Sequence, residues 1–80
     1  NCVIVAPITT RKPGRRIYPN EVLLPALTAN MPNESIVLCH QIRTIHKRRI
    51  GSVYGAISDV SIQTEIIHAI CFQLGIFFPQ

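Results

Sequence analysis

The 80-residue chain has no tryptophan, one methionine, two tyrosines and three phenylalanines. So few aromatic rings leave little for stacking nucleobases; Tyr18, beside a basic loop, is the better placed, and Tyr54 is expected in the core. Acidic side chains are also scarce: four Asp/Glu face eight Lys/Arg, for a formal charge of +4. That bias suits a nucleic acid or an acidic partner. Cys2, Cys39 and Cys71 are odd in number and form no C-x-x-C pair, which argues against a disulfide scaffold and for a reduced, cytoplasmic protein. No apolar run approaches the ~18 residues of a membrane helix, so no membrane role is expected. No leader-like segment precedes the first expected strand. Internal repeats and low-complexity segments are missing as well. With 48% hydrophobic and 15% charged residues, the chain is globular, not disordered, and its length suits one small domain, residues 1–80.

What is present reads as short strands followed by one helix. Cys2 to Ile8 is a continuous apolar run, expected as a strand buried on both faces and ended or edged by Pro7. A basic turn follows, Arg11-Lys12-Pro13-Gly14-Arg15-Arg16, carrying half of the cations. Glu21 to Leu24 reads as a second strand closed by Pro25. Ala26 to Glu34 is a connection broken by Asn30, Pro32 and Asn33. Gly51 to Ile57 is expected to give a further short strand with Val53 and Tyr54. Ser58 and Asp59 then offer N-caps for a helix with an apolar face of Ile62, Ile66, Ile67, Ile70, Cys71 and Leu74, stopped at Gly75. The pattern is mainly β with a terminal helix, an α+β chain.

The chain is organised around Ser35 to Ile50. Ser35 to Cys39 reads as a buried strand. Continued without interruption, it would put Gln41, Arg43 and Ile45 on one face and Ile42, Thr44 and His46 on the other, ending in the basic run Lys47-Arg48-Arg49. Within it, Leu38 to Ile50, LCHQIRTIHKRRI, resembles the "LCDQIRTIDKRRL" block of the MazF/PemK toxins, which are sequence-selective endoribonucleases. His40 and His46 replace the usual acidic residues, and Ile50 replaces Leu. Val5 to Thr10 resembles that family's "VVAPITS" strand, Tyr18 to Pro25 its "YPFEVELP", and Phe72 to Ile76 its "ISLGL"-type ending. The likeness covers Cys2 to Ile76.

The resemblance implies a small SH3-like antiparallel barrel with a C-terminal helix, its first strands missing, so that the domain is incomplete at the N-terminus. It also implies the toxin of a type II toxin–antitoxin pair, a metal-independent endoribonuclease acting on single-stranded mRNA and needing no cofactor. The implied partners are a cognate antitoxin with an acidic segment and a second copy of the chain, with DNA reached only through the antitoxin. Thr9 would hydrogen-bond the scissile phosphate, and His40 would serve as acid or base, both as catalytic residues. Arg11, Arg15, Gln41, Arg43 and Thr44 would bind RNA. The family's principal catalytic arginine, which lies upstream of the matched region, has no counterpart among these residues. The alternative is therefore an inactive relic that still binds antitoxin or RNA.

The plainer readings are a strand-end Thr, a backbone-bonded His and solvated arginines. A metal site joining His40 and His46 is excluded on a regular strand, where six residues span ~20 Å.

Overall fold

The computed structural model describes residues 1–76. Its centre is strand β4, Ser35–Leu38, whose β-branched Ile36 and Val37 are both buried. β4 is the middle of a three-stranded antiparallel sheet, flanked by β2, Ile8–Thr10, and β3, Glu21–Leu24. A second antiparallel sheet pairs β1, Cys2–Val5, with β5, Arg43–His46.

The two sheets share two chain segments that bend together. One carries β1 and β2, the other β4 and β5. The ladder outlasts β2 itself, since the Leu38 N–H donates to the Pro7 carbonyl at 2.8 Å. Val5 pairs with Arg43 in one sheet and Ile8 with Val37 in the other, so the gap is residues 6–7 on one segment and 38–42 on its partner. The surplus is taken up by a 3₁₀ turn, Cys39–Gln41. It acts as an enlarged bulge that bends the strand and re-aims its side chains. The uninterrupted strand expected from Ser35 to Ile50 is thus corrected to two strands joined by this turn. A further 3₁₀ turn, Lys47–Arg49, holds the basic run and is capped by His46 Nδ1, which accepts from the Arg48 N–H at 3.1 Å.

The core lies between the three-stranded sheet and helix α1, Val60–Leu74. Val22 and Val37, directly opposite in register, join Leu24, Cys39, Ile62 and Ala69 as one buried cluster. Asp59 caps the helix by accepting from the Ser61 and Ile62 N–H groups at 2.8 and 3.2 Å. At the other end Gly75 takes φ +74°, and Ile76 N–H reaches the Cys71 carbonyl while Gly75 N–H reaches that of Phe72. This paired closure needs the left-handed conformation that glycine adopts without steric cost.

Three other expectations are corrected. Cys2 to Ile8 is not one strand buried on both faces: it breaks at Ala6-Pro7, and Ile4 and Ile8 are exposed because β1 has a single partner and β2 is a sheet edge. Gly51 to Ile57 forms no strand; Val53 is exposed, and so is Tyr54, contrary to its expected place in the core. No strand edge among the described residues pairs with that segment, so its β propensity is unused. The helix face is also narrower than expected. Ile62 and Ala69 are buried, with Ile66 and Ile70 packed against the cluster, while Ile67 and Leu74 face solvent. A sheet narrow enough to need only three strands covers only part of the apolar stripe.

Candidate functional site

The 3₁₀ turn that interrupts the second segment lifts His40 out of the ladder. Its ring comes to rest over Glu21, the first residue of β3, with Nε2 3.2 Å from Glu21 Oε2. The Glu21 side chain is only 2% exposed. A buried carboxylate is costly unless it is paired and hydrogen-bonded, and this one is. Arg15 from the basic loop makes a two-pronged contact, Nη1 to Oε1 at 2.9 Å and Nη2 to Oε2 at 2.8 Å. The Tyr18 N–H adds a donor to Oε1 at 3.1 Å. Arg15 Nη1 also donates to the Arg16 carbonyl.

These contacts set the titration of the pair. The Arg15 guanidinium, first, and the Tyr18 amide and His40 ring after it lower the Glu21 pKa from 4.5 to about 2, although burial pulls the other way. Arg15 is raised in turn by its hydrogen bond to Glu21. Burial, with the nearby Glu21 charge, raises the Cys39 thiol. The Tyr18 ring lies under both neighbouring guanidiniums, 5.8 Å from Arg15 and 5.7 Å from Arg16. Such contacts hold an exposed ring in place by ~0.5–1 kcal/mol each.

Around this cluster is an open cavity of about 520 Å³ lined by Arg15, Tyr18, Pro19, Asn20, Glu21, His40 and Phe72. Asn20 and Gln73 bridge the β3 end to the helix at 3.2 Å. The cavity holds a titratable imidazole, a guanidinium, a fixed carboxylate and two partly exposed rings. That set can move a proton, bind an anion and receive a flat ligand.

Of the residues singled out in the sequence, His40 and Arg15 meet here. Thr9 does not line the cavity. It pairs with Ile36 in β2, on the same sheet face as Glu21 but toward the other end of β4. Thr9's ladder partner, Ile36, is four residues before His40 in the chain. Arg11 reaches Glu34 at 3.5 Å and the Arg15 carbonyl at 3.2 Å, beside a separate cavity of about 350 Å³ with Lys12, Pro13 and Gly14. Gln41 is exposed in the turn, and Arg43 and Thr44 are exposed on β5, opposite Val5 and Ile4. Arg15 is no free cation, since its charge is matched by Glu21. No group of His, Cys, Asp and Glu among the described residues could hold a metal ion. Nor is any described helix long and apolar enough to cross a membrane.

The sequence reading missed Glu21 and Phe72. Glu21 had a signal: a lone carboxylate opening an apolar strand just after four cations. Phe72 had none, being one of several apolar helix residues.

Residues 1–74 match the family described as PemK-like, MazF-like toxin of type II toxin-antitoxin system. Among solved structures, the chain resembles an endoribonuclease in complex with its cognate antitoxin from a mycobacterial species. That match has a TM-score of 0.78 at 23% identity and covers 98% of this chain and 69% of the other. It resembles equally an endoribonuclease from a mycobacterial species, with the same score and identity, covering 98% of this chain and 68% of the other. At that identity the likeness establishes the fold. No curated protein matches.

Proposed function

Because the chain belongs to the PemK-like, MazF-like toxins of type II toxin–antitoxin systems, we propose that its reaction is endoribonucleolytic cleavage of single-stranded mRNA. The observation that carries this reading is the meeting of His40, Arg15 and Tyr18 on one open cavity. In the step we envisage, His40 takes the proton of a ribose 2′-hydroxyl and the 2′-oxygen bonds to phosphorus. The P–O5′ bond breaks, its electron pair leaving on O5′. That oxygen takes a proton from water, and the imidazolium returns its own to the hydroxide so formed. No metal or cofactor is required. Tyr18 offers a base a stacking face. Thr9, distant from the cavity, would hydrogen-bond a phosphate other than the one at His40. Arg11, Gln41, Arg43 and Thr44 would guide the strand toward the cavity, Arg43 through its exposed place on β5.

The same reading extends to partners. An antitoxin bearing an acidic segment would compete with RNA for the cationic surface, and DNA would be reached only through it. A homodimer in the cytoplasm completes the proposal. One observation favours a second reading, a non-cleaving chain that still binds antitoxin or RNA. Among the described residues, the one guanidinium lining the cavity is already neutralised by Glu21, so none of their guanidiniums is left free there for the charge that develops on phosphorus.

A fluorogenic RNA assay in the presence of a chelator decides between them. Cleavage abolished by His40→Ala, and slowed by Thr9→Ala, is the expected result. RNA binding without cleavage in the unmodified chain would establish the second reading.

A further inference from the structure

We propose that Glu21 is a positioning residue: it fixes the tautomer of His40 and presents the ring's Nδ1, not Nε2, as the atom that exchanges protons with a ligand in the cavity. The inference rests on the acid–base role of His40 proposed above and names the atom and its support.

The hydrogen-bond inventory leaves one arrangement. A carboxylate has no proton to donate, so the 3.2 Å contact between Glu21 Oε2 and His40 Nε2 requires that Nε2 carry the hydrogen. Neutral His40 then has its lone pair on Nδ1, for which the described residues offer no partner, and the side chain is 31% exposed at the cavity. Glu21 cannot turn away from the ring. Oε1 is held by Arg15 Nη1 and the Tyr18 N–H, and Oε2 by Arg15 Nη2. The support thus runs from a loop guanidinium through a sealed carboxylate to the imidazole. When Nδ1 takes a proton, the positive ring keeps its Nε2–H on a fixed negative charge, so no group has to reorient.

A plainer possibility is that the Arg15–Glu21 pair only pins the basic loop to β3. The two differ in what Glu21→Gln does. The one carbonyl oxygen of the substituted side chain would stay with Arg15 and the Tyr18 N–H, turning the amide NH₂ toward His40. The ring would then have to accept at Nε2 and carry its hydrogen on Nδ1. Arg15→Lys, by contrast, weakens the loop anchor but leaves a carboxylate facing the ring.

The test is ring ¹H–¹⁵N spectroscopy of the full chain at about pH 8, where an ordinary imidazole is neutral, with His40→Asn assigning the signals. The unmodified chain should give a single-tautomer His40 pattern with an exchange-protected Nε2–H. Arg15→Lys should keep it, and Glu21→Gln should replace it with the Nδ1–H form. In the cleavage assay Glu21→Gln should lower kcat by about tenfold or more with KM within about twofold. An unprotected Nε2–H in the unmodified chain overturns the proposal, and so does an unchanged pattern in Glu21→Gln. Equal loss of the signal in both variants assigns Glu21 to loop anchoring alone. Should Glu21→Gln fail to fold, the unmodified chain and Arg15→Lys still decide the tautomer. Cleavage with the wrong tautomer refutes this inference and spares the proposed function. The right tautomer without cleavage refutes the function, and the catalytic use of Nδ1 with it.

Discussion

Acid should weaken the fold of this chain through Glu21, and the effect can be isolated. The carboxyl is depressed to about 2 in the folded state against an ordinary 4.5. A depressed carboxylate contributes stability that is complete above the unfolded pKa and is lost as pH falls toward the folded one. The window is therefore from about pH 4.5 down to about pH 2. For a sealed group the shift corresponds to ~3 kcal/mol. Solvent reaches the Arg15 partner, which is 33% exposed, so screening reduces this to ~1–2 kcal/mol. In a domain this small that is ~4–15 °C in Tm. Glu21→Gln removes the titrating proton while keeping the shape. Urea unfolding followed by circular dichroism, run on both proteins from about pH 7 to about pH 2.5, should find the variant weaker by ~1–2 kcal/mol at neutral pH. The gap should close through the window, because the unmodified chain then loses the same charge. Every other acidic side chain is common to both proteins and cancels in the difference. A gap constant across the window, or widening as pH falls, would refute the assignment of that charge to the folded pair.

Three further outcomes follow from the packing. Asp59→Ala leaves two first-turn amides of α1 without their acceptor and should cost ~1 kcal/mol by urea unfolding; a change under a few tenths would mean that the helix start frays. Ile70→Ala, at a half-buried position against the core cluster, should cost ~2 kcal/mol, the low end for such truncations; no loss would place α1 away from the sheet. In a thiol-labelling time course, exposed Cys2 should react first and half-buried Cys71 more slowly. Cys39, fully buried with its thiol pKa raised, should react only on unfolding; early labelling of Cys39 would contradict the core described here.

Strand β3, the buried start of β4 and helix α1 with both its caps were legible because each carries a local cause: β-branched or apolar runs, Asp59 at the start, Gly75 at the stop. The turn at Cys39–Gln41 was not. It contains no glycine, proline or asparagine, and its cause is non-local: two strands of unequal length must stay paired across a bend. Alternation continues on either side of it, so the sequence reads through. The same turn decides the site. Placing His40 by strand parity gives a side chain beside Arg43's strand, whereas the turn delivers it to Glu21. The exposed segment of Val53 and Tyr54 failed for the opposite reason: good strand composition, but no described strand pairs with it, so composition alone did not make a strand.

The cations tell a related story. The sequence groups them in two patches, and a single basic groove is the simplest arrangement of both. The structure separates their tasks. Arg15 is spent on Glu21, and Arg11 leans on Glu34 and the loop's own carbonyl. The second patch, Arg43 and Lys47 to Arg49, is exposed on β5 and the turn after it, and it does not line the His40 cavity. The cavity itself carries one guanidinium against one carboxylate and is close to neutral. On the proposed reading, attraction for a polyanion would belong to the β5 end, where charge is unmatched by any described acidic side chain within salt-bridge distance, and proton transfer to the His40 cavity. Salt would act on the first and leave the second untouched. A chain divided in this way can bind an acidic partner or a nucleic acid with its chemistry disabled, which is why binding alone could never establish cleavage, and why the proton at His40 is the point on which the two readings part.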